Sequence, residues 1–273
     1  MPSNNILPWM QTPTRLSNRV ALITGASRGI GRATALRLAA EGARVAVNYS
    51  RDEASAIAVV REIEAHGGTA LAVQADVRDP EAVGAMASVI GDAFGTPDIL
   101  VNNAGTLAMG TALAMKREAL NEAVDINIEG PLRCAQQFAP PMIDRRRGRI
   151  VNISATSAFG TAAPGIVPHA MTKAALVLWG KHLALELGQY AITVNTVCPG
   201  AIETETTMPG GALHEALKDI RKQQINHTAL RRVGTMDDVA GVIAFLVSDD
   251  AAFVTGQAIS VDGGSKDFLS RSG

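Results

Sequence analysis

Aromatic side chains and cysteine are scarce in this chain of 273 residues. Phe, Trp and Tyr together make up 4%, whereas hydrophobic residues make up 47%. The core must therefore be built from Ala, Val, Ile and Leu, which is typical of buried parallel strands and their covering helices. The two cysteines, Cys134 and Cys198, are too few for a disulfide framework. We expect both to be buried thiols in a protein of the reducing cytoplasm.

Excess charge and membrane signals are also missing. The net charge is −1, which gives no sign of a surface for nucleic acid or anionic lipid. No apolar run in the sequence approaches the length of a membrane span. Residues 1–18 lack the basic start and the apolar run of a secretory signal, and we expect them to form a flexible N-terminal arm. The histidines show no metal-ligand spacing, so we expect no metal site.

From residue 19 onward, strands and helices alternate along the chain. The predicted strands are mostly continuous apolar runs, and a helical pattern separates most of them. They are VALIT (20–24), ARVAVNY (43–49), TALAVQAD (69–76), DILVNNAG (98–105), GRIVNIS (148–154), AITVNTVCPG (191–200) and QAISVDGG (257–264). This pattern predicts an α/β fold: one Rossmann-like domain over residues 19–273, with about seven strands in a doubly wound parallel sheet and helices on both faces.

A glycine-rich turn joins the first strand to the first helix. The segment TGASRGIG (24–31) has the spacing G-x-x-x-G-x-G. Glycines in such a turn allow close approach of a pyrophosphate and close packing of helix on strand, and the free N–H groups of the helix attract phosphate. The segment therefore predicts a dinucleotide site, whose contacts we assign to Gly25, Ser27, Arg28, Gly29, Ile30 and Gly31.

The end of the second strand indicates which dinucleotide binds. NAD-binding proteins usually carry an acidic residue there, which binds the ribose 2′-hydroxyl. Here Tyr49 and Ser50 occupy that place and Arg51 follows, while Arg28 lies in the glycine turn. Two guanidinium groups suit a 2′-phosphate, and Asp52 is expected to cap the next helix. We predict NADP(H) rather than NAD(H); the alternative is that both arginines are solvated surface charges.

Motifs in the rest of the chain extend this pattern. TGASRGIG, Asp76 in ADV, NNAG (102–105), Asn127 in INIEG, NIS (152–154), Lys173, PGAIET (199–204) and VTGQAISVDGG (254–264) occur in that order. Over residues 19–265 the chain resembles the short-chain dehydrogenase/reductase family, most closely its 3-oxoacyl-carrier-protein-reductase-like members.

The resemblance implies roles for further residues. Asp76 and Val77 would border the adenine, and Lys173 would bind the nicotinamide ribose and tune the catalytic acid. Asn127 would hold a water of the proton relay. A substrate lid would lie near 205–224. The resemblance assigns further cofactor contacts to Asn103, Ala104 and Gly105, under the ribose, and to Pro199, Gly200, Ile202 and Thr204, at the nicotinamide. It also implies a homodimer or homotetramer formed through the helices around 112–140 and 168–188.

The catalytic positions depart from the family's pattern. The family's acid is a tyrosine four residues before the lysine, and here that residue is His169. Counting forward from Asn152 puts the family's serine at Ala155, whereas counting back from His169 puts it at Thr156. Ser154 and Ser157 lie nearby. The alternative for His169 is that it only caps and packs the helix after Pro168.

Three functional hypotheses follow. The first is an NADPH-dependent carbonyl reductase with His169 as general acid. The second is a non-redox reaction in the same pocket, such as dehydration, cyclisation or isomerisation. The third is an inactive subunit that stabilises an active partner. The expected pocket residues are small or apolar and favour a neutral or hydrophobic ketone or alcohol as substrate; they are Leu107, Met109, residues 154–159, Ile202 and the region of Met208.

Overall fold

One parallel sheet of seven strands forms the centre of the protein. The computed structural model describes residues 15–160, 165–204, 222 and 224–265. Its strands are β1 (Val20–Ile23), β2 (Arg44–Tyr49), β3 (Thr69–Gln74), β4 (Ile99–Asn102), β5 (Gly148–Ile153), β6 (Ile192–Pro199) and β7 (Ala258–Val261). They lie in the order β3-β2-β1-β4-β5-β6-β7, and every neighbouring pair is parallel. The predicted sheet is therefore confirmed.

Helices cover both faces of this sheet. The helices are α1 (Gly29–Ala40), α2 (Glu53–Ala65), α3 (Pro80–Phe94), α4 (Arg117–Val124), α5 (Gly130–Asp144), α6 (Val167–Leu187) and α7 (Met236–Val247). The buried residues of α1, α2 and α7 share one apolar cluster, and those of α3, α5 and α6 share the other. The small aliphatic side chains of β1, β4 and β5 contribute to both clusters, as expected for strands covered on both faces.

Local signals set the helix boundaries. Asp52 caps α2 by accepting a hydrogen bond from the Ser55 N–H. Asp79 caps α3 by accepting from the N–H groups of Glu81 and Ala82, and Pro80 is the first helical residue. The Asp52 cap agrees with the sequence prediction. Both caps form because short acidic side chains satisfy the unpaired N–H groups of a first turn.

Residues 15–18, which we predicted to be part of the N-terminal arm, pack against the sheet domain. Residues 15–18 belong to the domain rather than to a flexible arm: Leu16 is fully buried and its N–H donates to the carbonyl of Glu41. Arg15 forms ion pairs with Glu41 and Asp250. Residues 1–14 lie outside the described part of the chain, so the arm stays a prediction for them alone.

Both cysteines are buried thiols and neither forms a disulfide, as predicted. Burial raises the pKa of Cys134 to about 12, so this thiol is unreactive at neutral pH. None of the helices within the described ranges is long and apolar enough to cross a membrane.

Candidate active site

A crevice of about 450 Å³ opens at the carboxyl ends of β1 to β4. It lies where the strand order reverses, because β1 pairs with β2 on one side and with β4 on the other. Open α/β sheets bind ligands at this point. Predicted cofactor residues that line the crevice are Gly25, Ser27, Arg28, Ser50, Arg51, Asp76, Val77, Asn103, Ala104 and Gly105.

The glycine turn has the conformation that a phosphate site needs. Gly25 and Gly29 have φ values of 61° and 59°, which favour glycine. Gly29 is open: a Cβ built on it would meet nothing within 4 Å. A Cβ on Gly31 would lie 2.5 Å from the Asn103 Nδ2 atom and 2.5 Å from the Gly25 carbonyl oxygen. Gly31 is therefore required for close packing, while Gly29 leaves room for a ligand. Between them, Ile30 packs against the core.

Three arginines surround the outer end of the crevice. Arg28, Arg51 and Arg78 line it. The Nε and Nη2 atoms of Arg78 donate to the carboxylate of Asp76 at 3.0 Å and 2.6 Å. This guanidinium holds the pKa of Asp76 at about 2. The crevice therefore has a net positive charge beside the end of β2, which fits an anionic group there.

Sequence reasoning missed Arg78 and Asn48. Asn48 accepts a hydrogen bond from the Gly25 N–H at 3.1 Å and donates to the carbonyl of Ala75 at 3.0 Å. It thereby fixes the glycine turn to β2 and to the segment after β3. A polar residue within the apolar run of β2 was the signal for Asn48, and for Arg78 the signal was its place two residues after Asp76.

Lys173 is buried at the inner end of the site. Its Nζ atom donates to the carbonyl of Ile153 at 2.8 Å. Burial lowers the pKa of Lys173 to about 8. A Cβ on Gly105 would lie 3.3 Å from this Nζ and 3.2 Å from the Asn127 Oδ1 atom. The structure thus brings Lys173, Gly105 and Asn127 together.

The half-buried side chain of His169 lies on the first turn of α6. Its Nδ1 atom is 3.1 Å from the carbonyl oxygen of Thr106. Burial lowers the pKa of His169; the bond to Thr106 opposes this effect, and the charge of Lys173 adds to it. His169 does not cap α6, because Ile166 is the N-cap and the imidazole contacts the Thr106 carbonyl. The other part of that alternative, that His169 only packs against the helix, stays a prediction.

Asn127 lies in a π-helical turn, Asp125–Glu129, between α4 and α5. Its Oδ1 atom accepts from the Thr106 N–H at 2.9 Å. Its Nδ2 atom donates to the Thr106 carbonyl at 3.1 Å and to the Thr172 Oγ1 atom at 3.0 Å. Such π-helical turns are frequent at functional sites, and this one directs a fully buried amide at the loop that contacts His169.

The candidate hydroxyl groups differ in their surroundings. The Ser154 hydroxyl already has an acceptor for its hydrogen, because its Oγ atom donates to the Lys173 carbonyl at 2.8 Å. Ser157 is buried, and its Oγ atom has no hydrogen-bond partner within the described ranges. Thr156 begins a 3₁₀ turn (Thr156–Ala158) and is only partly buried. Ala155, the extended residue before this turn, has no hydroxyl to offer.

The predicted nicotinamide contacts follow β6. Pro199 is the last residue of that strand, and the Gly200 N–H donates to the Val261 carbonyl at 3.0 Å. Ile202 pairs with Gly234 in an isolated bridge. Thr204 is the last residue described before the gap. Most of the predicted lid, including Met208, lies outside the described residues.

Three of the predicted pocket residues are exposed apolar side chains. Leu107 and Met109 are 61% and 59% exposed, and Phe159 is 45% exposed. Gly110, next to Met109, forms a bridge with Ile166 at the start of α6. In the described part of the chain, no three His, Cys, Asp or Glu side chains are placed to hold a metal ion.

Comparison with known proteins identifies the family. Residues 25–266 match the family model described as enoyl-(acyl carrier protein) reductase. The chain is 42% identical to the 3-oxoacyl-[acyl-carrier-protein] reductase FabG of Staphylococcus aureus over 246 residues, which are 89% of this chain and 96% of that protein. The chain belongs to the short-chain dehydrogenase/reductase family.

Other family members show the range of this similarity. A dehydrogenase subunit of Thauera aromatica, (2S)-[(R)-hydroxy(phenyl)methyl]succinyl-CoA dehydrogenase subunit BbsD, is 38% identical over 91% of this chain and 97% of its own length. A short-chain dehydrogenase of Burkholderia cenocepacia, solved in complex with NADP, is 38% identical with a TM-score of 0.81 and covers 92% of this chain and 99% of its own. The fold and the FabG-like homology are thus shown.

Proposed function

We propose that this protein is an NADP(H)-dependent carbonyl reductase/alcohol dehydrogenase in which His169 acts in place of the family's tyrosine. The observation that carries the proposal is the position of the imidazole. It lies on the first turn of α6, one turn before the buried Lys173, and its charge interaction with Lys173 contributes to its pKa. A half-buried imidazole with a lowered pKa is a suitable proton-transfer group near neutral pH.

The crevice residues support NADP(H) as the cofactor. The space at Gly29 and the N–H groups of the first turn of α1 would hold the pyrophosphate. Arg28 and Arg51, with Arg78 beside Asp76, would hold the 2′-phosphate. Gly105 would let the nicotinamide ribose approach Lys173, and the segment from Pro199 to Thr204 would hold the carboxamide. When bound, this cofactor supplies or accepts the hydride.

Residues of this chain carry out the proton transfer. His169 in its cationic form would give a proton to the oxygen of a carbonyl substrate, and in its neutral form would take one from an alcohol. Since burial lowers its pKa, the neutral form dominates at pH 7. The site is therefore set for alcohol oxidation at neutral and higher pH and for carbonyl reduction at lower pH. We assign the second hydroxyl contact with the substrate oxygen to Thr156, because the Ser154 hydroxyl already donates to the Lys173 carbonyl and Ser157 is buried, whereas Thr156 is partly exposed.

The mouth of the site supports a neutral or hydrophobic substrate. Leu107, Met109 and Phe159, which the sequence assigns to the pocket, are apolar side chains exposed in the structure. Burial of such side chains against a ligand favours apolar groups, at about 25 cal/mol per Å². We therefore propose a neutral or hydrophobic ketone and the corresponding alcohol as substrate and product.

A turnover assay tests the proposal. The NADPH consumption of the wild type is measured with neutral hydrophobic ketones, beside His169→Gln and the double variant His169→Tyr, Ala155→Ser. Turnover by the wild type that falls at least about 100-fold in His169→Gln would support the imidazole as acid. Turnover by the double variant alone would show an intact cofactor site whose natural role is not carbonyl reduction. Conversion of a substrate without NADPH consumption would favour a non-redox reaction.

A second candidate function has support from one relative. The Thauera aromatica protein is named as a subunit of a dehydrogenase, so a chain of this kind can belong to an assembly of more than one component. The alternative is then that this chain stabilises an active partner of the same family. Turnover that arises only after the partner chain is added would favour it.

A further inference from the structure

His169, Thr106 and Asn127 form a connected set of hydrogen bonds behind the imidazole. The carbonyl oxygen of Thr106 accepts from the Asn127 amide and lies 3.1 Å from the His169 Nδ1 atom. The N–H of Thr106 donates to the Asn127 Oδ1 atom at 2.9 Å. One asparagine side chain therefore holds both backbone polar groups of the residue that contacts the imidazole.

This contact determines which ring nitrogen can react. A backbone carbonyl only accepts hydrogen bonds, so the His169 Nδ1 atom must carry the hydrogen in both the neutral and the cationic ring. Nε2 is then the nitrogen that gains and loses a proton. We propose that Asn127 is a positioning residue: by holding the Thr106 carbonyl against Nδ1, it keeps His169 in the Nδ1–H tautomer and leaves Nε2 to exchange a proton with the substrate.

The surroundings of Asn127 allow only one orientation of its side-chain amide. Asn127 is fully buried and Thr172 is 1% exposed. The Thr172 Oγ1 atom accepts from the Asn127 Nδ2 atom at 3.0 Å and donates to the His169 carbonyl at 2.9 Å. A rotation of the amide by half a turn would place its oxygen against the Thr106 carbonyl and leave buried polar groups without partners, which is costly.

The proton transfer that follows is simple. In reduction, the Nε2–H bond of the cationic ring breaks, its proton goes to the substrate oxygen as the carbonyl carbon accepts the hydride, and the bonding electrons stay on Nε2 as a lone pair. Oxidation of the alcohol reverses each change. The Nδ1–H bond to Thr106 persists in both directions. Only the identity of the proton acceptor rests on the proposed function; the tautomer is a property of the resting protein.

The test is nitrogen NMR of protein with ¹⁵N-labelled histidine rings, recorded above the pKa of His169. The resonances of this residue are assigned by their loss in His169→Gln. The expected wild-type pattern is a protonated Nδ1 and an unprotonated Nε2. Asn127→Leu, which keeps the side-chain size and removes every hydrogen bond, should increase the Nε2–H form at least about tenfold. Thr172→Val removes one acceptor of the amide and should shift the population in the same direction, while Thr172→Ser should restore the wild-type pattern.

The outcomes separate the two proposals. A wild-type ring that is mainly Nε2–H would overturn the tautomer assignment. An unchanged pattern in folded Asn127→Leu would overturn the positioning role; if that variant does not fold, identical patterns in Thr172→Val and Thr172→Ser would do the same. If the wild-type ring is Nδ1–H and substitution of Asn127 changes its tautomer, this inference stands. If the same protein shows no reductase turnover, only the proposed function is refuted.

Discussion

The buried Nζ atom of Lys173 donates a hydrogen bond to the Ile153 carbonyl at 2.8 Å. Burial of this charge lowers its pKa from 10.5 to about 8. An ammonium that is hard to keep charged is a cost to folding, because water would solvate it better. Lys173, which the proposed function requires, thus destabilises the folded protein when no cofactor is bound.

Lys173→Met should therefore stabilise the protein without cofactor while removing its turnover. We expect the free energy of unfolding at pH 7 to rise by about 1–3 kcal/mol, since each pKa unit corresponds to about 1.4 kcal/mol. Between pH 8 and 10.5, the unfolded chain holds a proton on this lysine that the folded chain has lost. Wild-type stability should rise with pH in that window relative to the variant.

Denaturant unfolding of both proteins measures this difference. Lys181→Met, on the exposed side of the same helix, is the matched control and should change stability little. A Lys173→Met protein that is less stable than the wild type at pH 7 would contradict the prediction.

The pH dependence of turnover should follow His169. Burial puts its pKa below 6.5, so ketone reduction should fall about tenfold per pH unit above that pKa, because the acid must be protonated. Alcohol oxidation should rise over the same range and then level off. His169→Tyr, if active, should move the fall in reduction to higher pH, since the reference pKa of tyrosine is about 10. The same profile in His169→Gln would show that another group titrates.

The arginines of the crevice should determine the choice of cofactor. Arg51→Ala and Arg28→Ala should each weaken NADPH binding by about 10–100-fold, because a hydrogen bond between charged groups contributes about 1.5–3 kcal/mol. Binding of NADH should change less than about threefold. Fluorescence titration gives both dissociation constants. Arg61→Ala, at an exposed arginine of α2 outside the crevice, is the control.

Arg78 offers a distinct case because it also neutralises Asp76. Arg78→Ala should leave that carboxylate unpaired beside the proposed phosphate position and weaken NADPH binding more than NADH binding. Asp76→Asn in the same protein should recover part of the loss. Equal effects on both cofactors would show that Arg78 acts through adenosine or through stability instead.

The local features of the fold were predictable from the sequence, and the contacts between distant segments were not. The caps at Asp52 and Asp79 depend on neighbours a few residues away, and a continuous apolar run in the sequence is enough to indicate a buried strand. The partners of His169 depend on how the Thr106 loop meets α6, and the two segments are 63 residues apart. Arg78 was missed for a related reason: the direction of its side chain depends on Asp76 rather than on any periodic pattern.

The position of the catalytic hydroxyl group was not predictable from the sequence either. Sequence counting from either end gave Ala155 or Thr156, because the loop between β5 and α6 is one residue longer than the family's spacing. The structure shows that the Ser154 hydroxyl donates to the Lys173 carbonyl, which leaves Thr156 and Ser157 as the candidate hydroxyl groups. Burial and hydrogen-bond partners distinguish these hydroxyl groups, whereas residue type does not.

Two glycines should respond in opposite ways to the same substitution. Gly31→Ala would push a methyl group to 2.5 Å from the Asn103 Nδ2 atom, so we expect a loss of about 1–3 kcal/mol in stability, typical of overpacking, and weaker cofactor binding. Gly84→Ala, within α3, would meet nothing within 4 Å. It should stabilise the protein by up to about 1 kcal/mol through helix propensity. Thermal unfolding compares the two, and an equal loss in both would contradict the packing argument.

A row of apolar side chains on α6 should form part of the proposed homodimer or homotetramer interface. Met171, Leu178 and Leu185 are 51%, 59% and 80% exposed, and their spacing of seven residues places them along one face of the helix. Leu178→Asp would bury a carboxylate in that interface, so it should shift the protein to monomers in sedimentation velocity. Val89→Asp, at an exposed valine of α3 outside both predicted interface segments, should leave the assembly unchanged. A wild type that sediments as a monomer would refute the proposed assembly, and unchanged sedimentation of Leu178→Asp would place the interface elsewhere.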